Sequence, residues 1–503
     1  MIYQHHRDRL KYRSIVIILV SIWATLMPTS DASDFDIVIN GGRVIDPETG
    51  LDATRNIGIA GNQIVEISTS SLTGKRVIDA SGLVVAPGFI DLHVHGRTNV
   101  EQEFQLHDGL TTALELEWGI ENLREWYQSR ESKALINYGA SVNWPYQRFK
   151  SLAKYSEEVQ KLREMTVSGQ VDIEEMFNAI HPAAYDQLNA EEITKSHENI
   201  VAGLNDGGLG IGAPIGYLPT TNPNELYQIF KLAAEIDVPV FSHVRNPDII
   251  SIQEVINNAM LFKASLHIVH LNSMSLGKID MALDMVKQAQ ESGFDITTEV
   301  YPYTAASTAI QSAIFSPGWQ QRLGISYDDL QWVATGERLT EETFDAYRKD
   351  GGVLIIHMMK PEWINKGIAA PGVIVASDGM AYAKLAHPRT AGTFARVLGK
   401  YVREDKVIDL ATAISKMTLL PAKRLEGIAP MMKRKGRIQI GMDADITIFN
   451  PDTIIDKATF EKGPVFSEGV EYVLVNGTVA LEDGETVKNV FPGRAITSRF
   501  KRD

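Results

Sequence analysis

Between Gly88 and Asp378 the chain alternates short apolar runs with longer amphipathic stretches, and that alternation restricts the fold more than any other feature. The runs Gly88–His95, Thr111–Glu117, Val238–His243, Leu266–His270, Asp295–Tyr301, Val353–His357 and Val373–Asp378 have the length and composition of buried strands. Segments such as Glu225–Ile236 and Lys278–Glu291 between them carry a helical apolar stripe. Repeated β–α alternation implies a parallel sheet, and this count and span predict a (β/α)8 barrel of the TIM type, an α/β fold, over residues 87–425. Two polar helical stretches, Gln147–Asn199 and Gln311–Lys349, read as insertions on βα loops, where lids sit.

The ends of the chain are different. Asp36-Ile-Val-Ile-Asn40-Gly41-Gly42-Arg-Val-Ile45 reads as strand, tight turn, strand, and Val473-Leu-Val-Asn476-Gly477-Thr-Val479 repeats the pattern near the C-terminus. Residues 33–86 and 426–490 are therefore expected to combine into one small β-sandwich, followed by a tail over 491–503. Before them, Arg7, Arg9, Lys11 and Arg13 precede an apolar run from Ser14 to Met27, followed by Ser30-Asp31-Ala32. A basic region, a short apolar core and small residues two apart predict a signal peptide over 1–32, and so an exported, periplasmic protein. The rival is an uncleaved anchor, which the run of about 14 residues is short to provide. A net charge of −14, from 49 Lys+Arg against 63 Asp+Glu, sets the average surface against nucleic acid and anionic membranes.

The strand ends carry the chemistry. Residues at the C-terminal ends of barrel strands converge on one mouth, and here five of the seven runs end in His or Asp. His93 and His95 lie two apart, so both point to one side and can share a metal ion; a lone pair of loop histidines would not need the buried run Ala86-Pro-Gly-Phe-Ile-Asp91 before it. Glu115 and Glu117 are likewise two apart and face the barrel interior, where an unpaired carboxylate is costly. Glu117, nearer the strand end, is the expected ligand; Glu115 is either the ligand or its support, and a buried Glu–Arg pair is the structural alternative. His243 and His270 end two further strands. His267, earlier on its strand, reads as a structural or loop histidine. Asp378 closes the set, as ligand, general base or both. The chain has no cysteine, so any metal must sit on imidazole and carboxylate. That donor set suits Zn²⁺, one ion or two, or another borderline divalent cation. A metal-lowered water pKa beside an Asp amounts to hydrolysis of an amide or related acyl bond. The glycine-rich Gly207-Gly208-Leu-Gly210-Ile-Gly212 follows no predicted strand and reads as a backbone-bending loop rather than a nucleotide site.

These residues, with Glu299-Val-Tyr-Pro-Tyr303-Thr-Ala-Ala-Ser-Thr308, Ser377-Asp378-Gly379, His387-Pro-Arg389, Gly392-Thr393-Phe394, Met417-Thr-Leu-Leu-Pro421-Ala422 and Gly441-Met-Asp-Ala-Asp445, resemble the amidohydrolase superfamily and, within it, the D-aminoacylase group. The resemblance covers nearly everything from Phe35 to Phe491. It implies a mono- or dinuclear zinc site on His93, His95, His243, His270 and Asp378, contacts to the substrate carboxylate from Tyr303 and Arg389, and deacylation of an N-acyl-D-amino acid. Two departures stand out. Where the group carries a metal-binding cysteine, this chain has Glu115-Leu-Glu117-Trp118; where the group has a carboxylate-binding lysine, it has His270-Leu-Asn272-Ser273. A cyclic-amide or dipeptide hydrolase on the same scaffold is the nearer alternative, and a non-catalytic exported binding protein the more distant one.

Overall fold

The computed structural model describes residues 35–168 and 182–501; the expected signal peptide and part of the first insertion lie outside them. Eight parallel strands form the barrel: β1 (Phe89–Asp91), β2 (Leu110–Ile120), β3 (Asn137–Asn143), β4 (Ile211–Pro214), β5 (Val240–His243), β6 (Leu266–Ile268), β7 (Ile296–Val300) and β8 (Ile374–Val375). They are hydrogen-bonded in chain order. The circle closes where Val94 bridges Gly379, the His95 N–H donates to the Gly379 carbonyl at 2.7 Å, and the Ser377 N–H donates to Asp91 Oδ1 at 3.1 Å. Helices pack outside. Pro223–Glu235 starts with an Asn222 cap and a proline in its first turn, and buries Leu226, Ile229, Phe230 and Ala233 against the strands. Ile279–Glu291 buries Ile279, Ala282, Val286 and Ala289, the spacing of one helical face.

Six of the seven apolar runs are barrel strands. The seventh, Val353–His357, belongs to a three-stranded antiparallel sheet with Ala305–Ala309 and Leu330–Trp332. This sheet and its flanking helices have a core of their own, including Phe315, Trp319, Leu330, Phe344 and Leu354. The second insertion is thus an α/β unit larger than the helical stretch expected at Gln311–Lys349. The barrel strands in its place are β3 and β4. β4 begins inside the glycine-rich run expected to be a loop. Gly210 has φ +137°, and a Cβ there would meet the Pro239 carbonyl at 2.5 Å; a Cβ on Gly212 would meet that of Glu117 at 2.6 Å. The glycines allow close strand approach.

The two termini build one β unit, as expected. Its nine strands form a single hydrogen-bonded sheet, the halves joined where Val84–Pro87 pairs antiparallel with Ile446–Phe449. The core of this unit includes Ile37, Ile39, Ile57, Ile59, Ile446, Ile448 and Leu474. Asn476 and Gly477, both at positive φ, make the two-residue turn read from the sequence. Asn40-Gly41 does not: Ile37–Asp46 is one strand with a bulge between Ile39 and Gly42. The C-terminal segment is strapped to the barrel, where Ala495 bridges Tyr138 and Ile496 is fully buried.

Candidate metal centre

Five barrel strands deliver the expected residues to one end. His93 and His95 follow β1, Glu115 and Glu117 lie on β2, and His243 ends β5. His270 lies two residues beyond β6 at φ +33°, and Asp378 lies just past β8 at φ +53°. A left-handed backbone at a non-glycine residue is costly and is kept where the surroundings demand it. All seven side chains are buried.

Glu117 is central. Its Oε2 lies 3.1 Å from His93 Nε2 and 3.2 Å from His95 Nε2; its Oε1 lies 2.8 Å from His243 Nδ1 and 3.3 Å from His270 Nε2. Asp378 Oδ1 completes the first group, 3.4 Å from His93 Nε2 and 3.2 Å from His95 Nε2. The outward nitrogens face carboxylates too: His93 Nδ1 is 2.5 Å from Glu299 Oε1, and His95 Nδ1 is 3.0 Å from Glu115 Oε2. Glu115 therefore stands behind His95, while Glu117 stands between the two histidine groups.

The electrostatics follow from this crowding. Burial opposes charge on His93, but Asp378, Glu299 and Glu117 outweigh it and raise its pKa well above the ordinary histidine value. His95 behaves alike, with Glu115 and Asp378 prevailing over burial. Burial also opposes ionisation of Glu117, yet His93 and the bonds from His243 and His270 hold its pKa well below the usual carboxylate range.

The donor set fits a divalent cation. Donor atoms of His93, His95 and Asp378, and again of His93, Glu117 and His270, lie within 4.8 Å of one another. Nitrogen and oxygen ligands at ~2.0–2.2 Å from tetrahedral zinc stand ~3.3–3.6 Å apart, close to the 3.1–3.4 Å separations around Glu117 Oε2 and Asp378 Oδ1. Chemistry agrees with distance. An imidazole faced by carboxylates on both nitrogens is either doubly protonated or shared with a cation, and two such imidazoles meet here.

A cavity of about 310 Å³ opens onto His95, Glu117, His243, His270 and Asp378. Its walls are largely apolar: Trp118, Ile215 and Met274 from the barrel side, Ile314, Leu323 and Ile356 from the antiparallel insert. Its two arginines are already engaged. Arg245 pairs with Glu254 at 2.9 Å, and Arg322 donates to the carbonyls of Ile314, Ser316 and Pro317.

Neither residue expected to hold a substrate carboxylate lines that cavity. Tyr303 is turned away, its hydroxyl 3.4 Å from Asp456 Oδ2 and its ring under the Arg396 guanidinium. The chain bends at Pro302 after β7, and it is Tyr301 that stays at the site, its ring 6.5 Å from that of His270. Arg389 is 1% exposed and stands behind Asp378, its Nη1 2.9 Å from Asp378 Oδ2 and its guanidinium over the Tyr301 ring. The ion pair is out of line for a hydrogen bond, so Nε and Nη1 find no hydrogen-bond partner among the described residues. Sequence reading also passed over Glu299 and assigned His267 only a structural or loop place. The signal was Thr297 and Glu299 two apart on a buried strand beside His267.

Comparison with known proteins places the chain among relatives. An N-acyl-D-glutamate deacylase of Alcaligenes xylosoxydans xylosoxydans is 30% identical over 88% of this chain and 93% of its own length. A D-aminoacylase of the same organism is 26% identical over 90% of this chain and 95% of its own. The crystal structure of N-acyl-D-glutamate deacylase from Bordetella bronchiseptica, complexed with zinc and a phosphonate mimic of the tetrahedral intermediate, shares the fold with a TM-score of 0.76. It is 23% identical and is covered in full by 92% of this chain. The amidohydrolase family model matches residues 76–248 and 273–481, taking in the first and last strands of the barrel and the part of the terminal sheet that lies between Arg76 and Leu481. By that match, and by a relative 30% identical along almost its whole length, the chain belongs to the amidohydrolase family.

Proposed function

We propose that this protein is a metal-dependent amide hydrolase that removes the acyl group from an N-acyl-D-amino acid. The observation that carries the reading is the placement of Glu117, one oxygen against His93 and His95 and the other against His243 and His270. These five residues and Asp378 would hold one or two divalent ions. An ion there supplies a water of near-neutral pKa and an electrophilic contact for the acyl carbonyl. Asp378 lines the cavity and faces the paired imidazoles; it takes the proton of the attacking water and returns it to the departing nitrogen. The apolar walls exclude bulk water and strengthen the electrostatics of the buried carboxylates.

The substrate class draws support from the relatives, which are deacylases of N-acyl-D-amino acids. The cavity wall refines it. With Arg245 and Arg322 engaged elsewhere and apolar side chains around them, the site favours an apolar amino-acid side chain over an acidic one. The same scarcity of available cations favours a second reading, hydrolysis of a neutral cyclic amide. A screen of zinc-loaded protein across N-acetyl-D- and N-acetyl-L-amino acids, hydantoins and D-dipeptides separates the two. Turnover led by N-acetyl-D-leucine or -methionine is expected; turnover confined to cyclic amides would replace the first reading, and none at all would leave a binding protein.

The N-terminal segment supports export, with cleavage near Ala32. Among the described residues no helix is long and apolar enough to cross a membrane. N-terminal sequencing of protein from the periplasmic fraction tests this, and an intact N-terminus in the membrane fraction would overturn it.

A further inference from the structure

The barrel interior holds a second file of polar groups, half-buried at its outer end and fully buried further in, that ends on a candidate ligand. Thr297 Oγ1 lies 2.8 Å from His267 Nδ1; His267 Nε2 lies 2.9 Å from Glu299 Oε2; Glu299 Oε1 lies 2.5 Å from His93 Nδ1. Strand register makes the file. Thr297 and Glu299 are two apart on β7 and share a side, and His267 is the residue of β6 directly beside Thr297. The file runs from the barrel floor, where Thr297 borders a cavity of about 370 Å³, to the mouth. His267 and Glu299 are fully buried, and none of the three lines the active-site cavity.

Proton counting gives the file a direction. Glu299 offers one oxygen to each imidazole, and as the acceptor of both contacts it takes an N–H from His93 Nδ1 and one from His267 Nε2. Burial holds the His267 pKa below the ordinary histidine value, and its Nδ1 faces the Thr297 hydroxyl, which can donate to it. With Nδ1 of His93 committed to Glu299, Nε2 is left for whatever sits between Glu117 and Asp378. We propose that Thr297, His267 and Glu299 are positioning residues that hold His93 in the orientation and tautomer that present Nε2 to the metal. The inference rests on the metal-dependent reading above. It gives a task to a buried carboxylate that faces a ligand on its outer nitrogen, an arrangement that fixes ring orientation and raises ligand basicity.

The test uses the full-length protein loaded with zinc or with cobalt(II). Zinc affinity is read by chelator competition, and the cobalt site by its visible spectrum and by the hyperfine-shifted, exchangeable Nδ1–H proton of His93. His267→Phe and Glu299→Gln should weaken zinc binding ~10–100-fold and shift the cobalt spectrum, while KM stays close to that of the unaltered protein. His267→Gln, whose amide can still donate to Glu299, should recover most of the loss, and Thr297→Val should have the smallest effect. Unchanged zinc affinity and cobalt spectra in His267→Phe and Glu299→Gln would overturn the proposal. So would equal losses in His267→Phe and His267→Gln. If His267→Phe does not fold, His267→Gln and Thr297→Val still carry the comparison, and spectra identical to the unaltered protein in Glu299→Gln would sink it. Failure of the unaltered protein to bind metal would remove the metal-dependent reading itself; normal binding with insensitive variants removes only this inference.

Discussion

Glu115 and Glu117, two residues apart on β2, take opposite nitrogens of one ring: Glu115 Oε2 is 3.0 Å from His95 Nδ1, and Glu117 Oε2 is 3.2 Å from His95 Nε2. One carboxylate orients the imidazole and the other meets it at the centre. Glu117→Gln should therefore drop the metal content of purified protein below one ion per chain. Glu115→Gln keeps an acceptor for His95 and should retain the ion, with affinity ~10-fold weaker. Elemental analysis and chelator competition read both; equal losses would erase the distinction.

Asp378→Asn keeps the shape of the side chain but cannot accept a proton. kcat should fall ~10²–10⁴-fold, with His93, His95, Glu117, His243 and His270 still retaining metal. An unchanged kcat in metal-loaded protein would take the base role from Asp378.

Arg389→Lys separates the two roles open to that guanidinium. Since Arg389 meets Asp378 and does not line the cavity, kcat should fall at least ~10-fold on N-acyl-amino acids and on their carboxamides alike. A rise in KM confined to substrates with a free carboxylate would assign the guanidinium to the substrate instead.

Chelation should abolish turnover and lower the thermal midpoint together, and zinc, cobalt or manganese should restore both. A ligand that binds only the folded state stabilises it by RT ln(1 + [L]/Kd), ~4 kcal/mol at a thousandfold excess over Kd. Here it also offsets the charge of carboxylates that are buried in one site. A midpoint that ignores added zinc would count against a buried, structural position for the ion.

Gly210→Ala tests the strand hidden in the glycine-rich run. The new Cβ meets the Pro239 carbonyl at 2.5 Å from a backbone at φ +137°, so stability should fall by ~1–3 kcal/mol from strain alone. Denaturant unfolding measures it; a neutral change would mean that β4 has slack to move.

The site was more legible than the fold around it. His93, His95, Glu117, His243, His270 and Asp378 each follow or end an apolar run, and strand period fixes which side they face. β3 was illegible because Asn137-Tyr-Gly-Ala-Ser-Val-Asn143 lacks the apolar, β-branched character of a buried strand. β4 is four residues long and opens on Ile-Gly. Val353–His357 failed in the opposite sense. The run is as apolar as a barrel strand because the insert buries it, and nothing within five residues states whether a partner runs parallel or antiparallel. Tyr303 against Tyr301 turned on a bend at Pro302 that spacing does not describe. Glu299 and His267 depend on contacts between neighbouring strands.

The closure of the barrel has a consequence for how this chain becomes active. Ser377 and Asp91, which join across the gap, are 286 residues apart in sequence. His93 and His95 stand on one lip of that gap and Asp378 on the other. An ion held among them would be a cross-link between the first and last strands, in a chain with no cysteine to make a covalent one. Loop closure over such a span is entropically expensive, and the ligands that complete the chemistry also fasten the cylinder. Parting the first and last strands would separate Asp378 from His93 and His95 in the same motion.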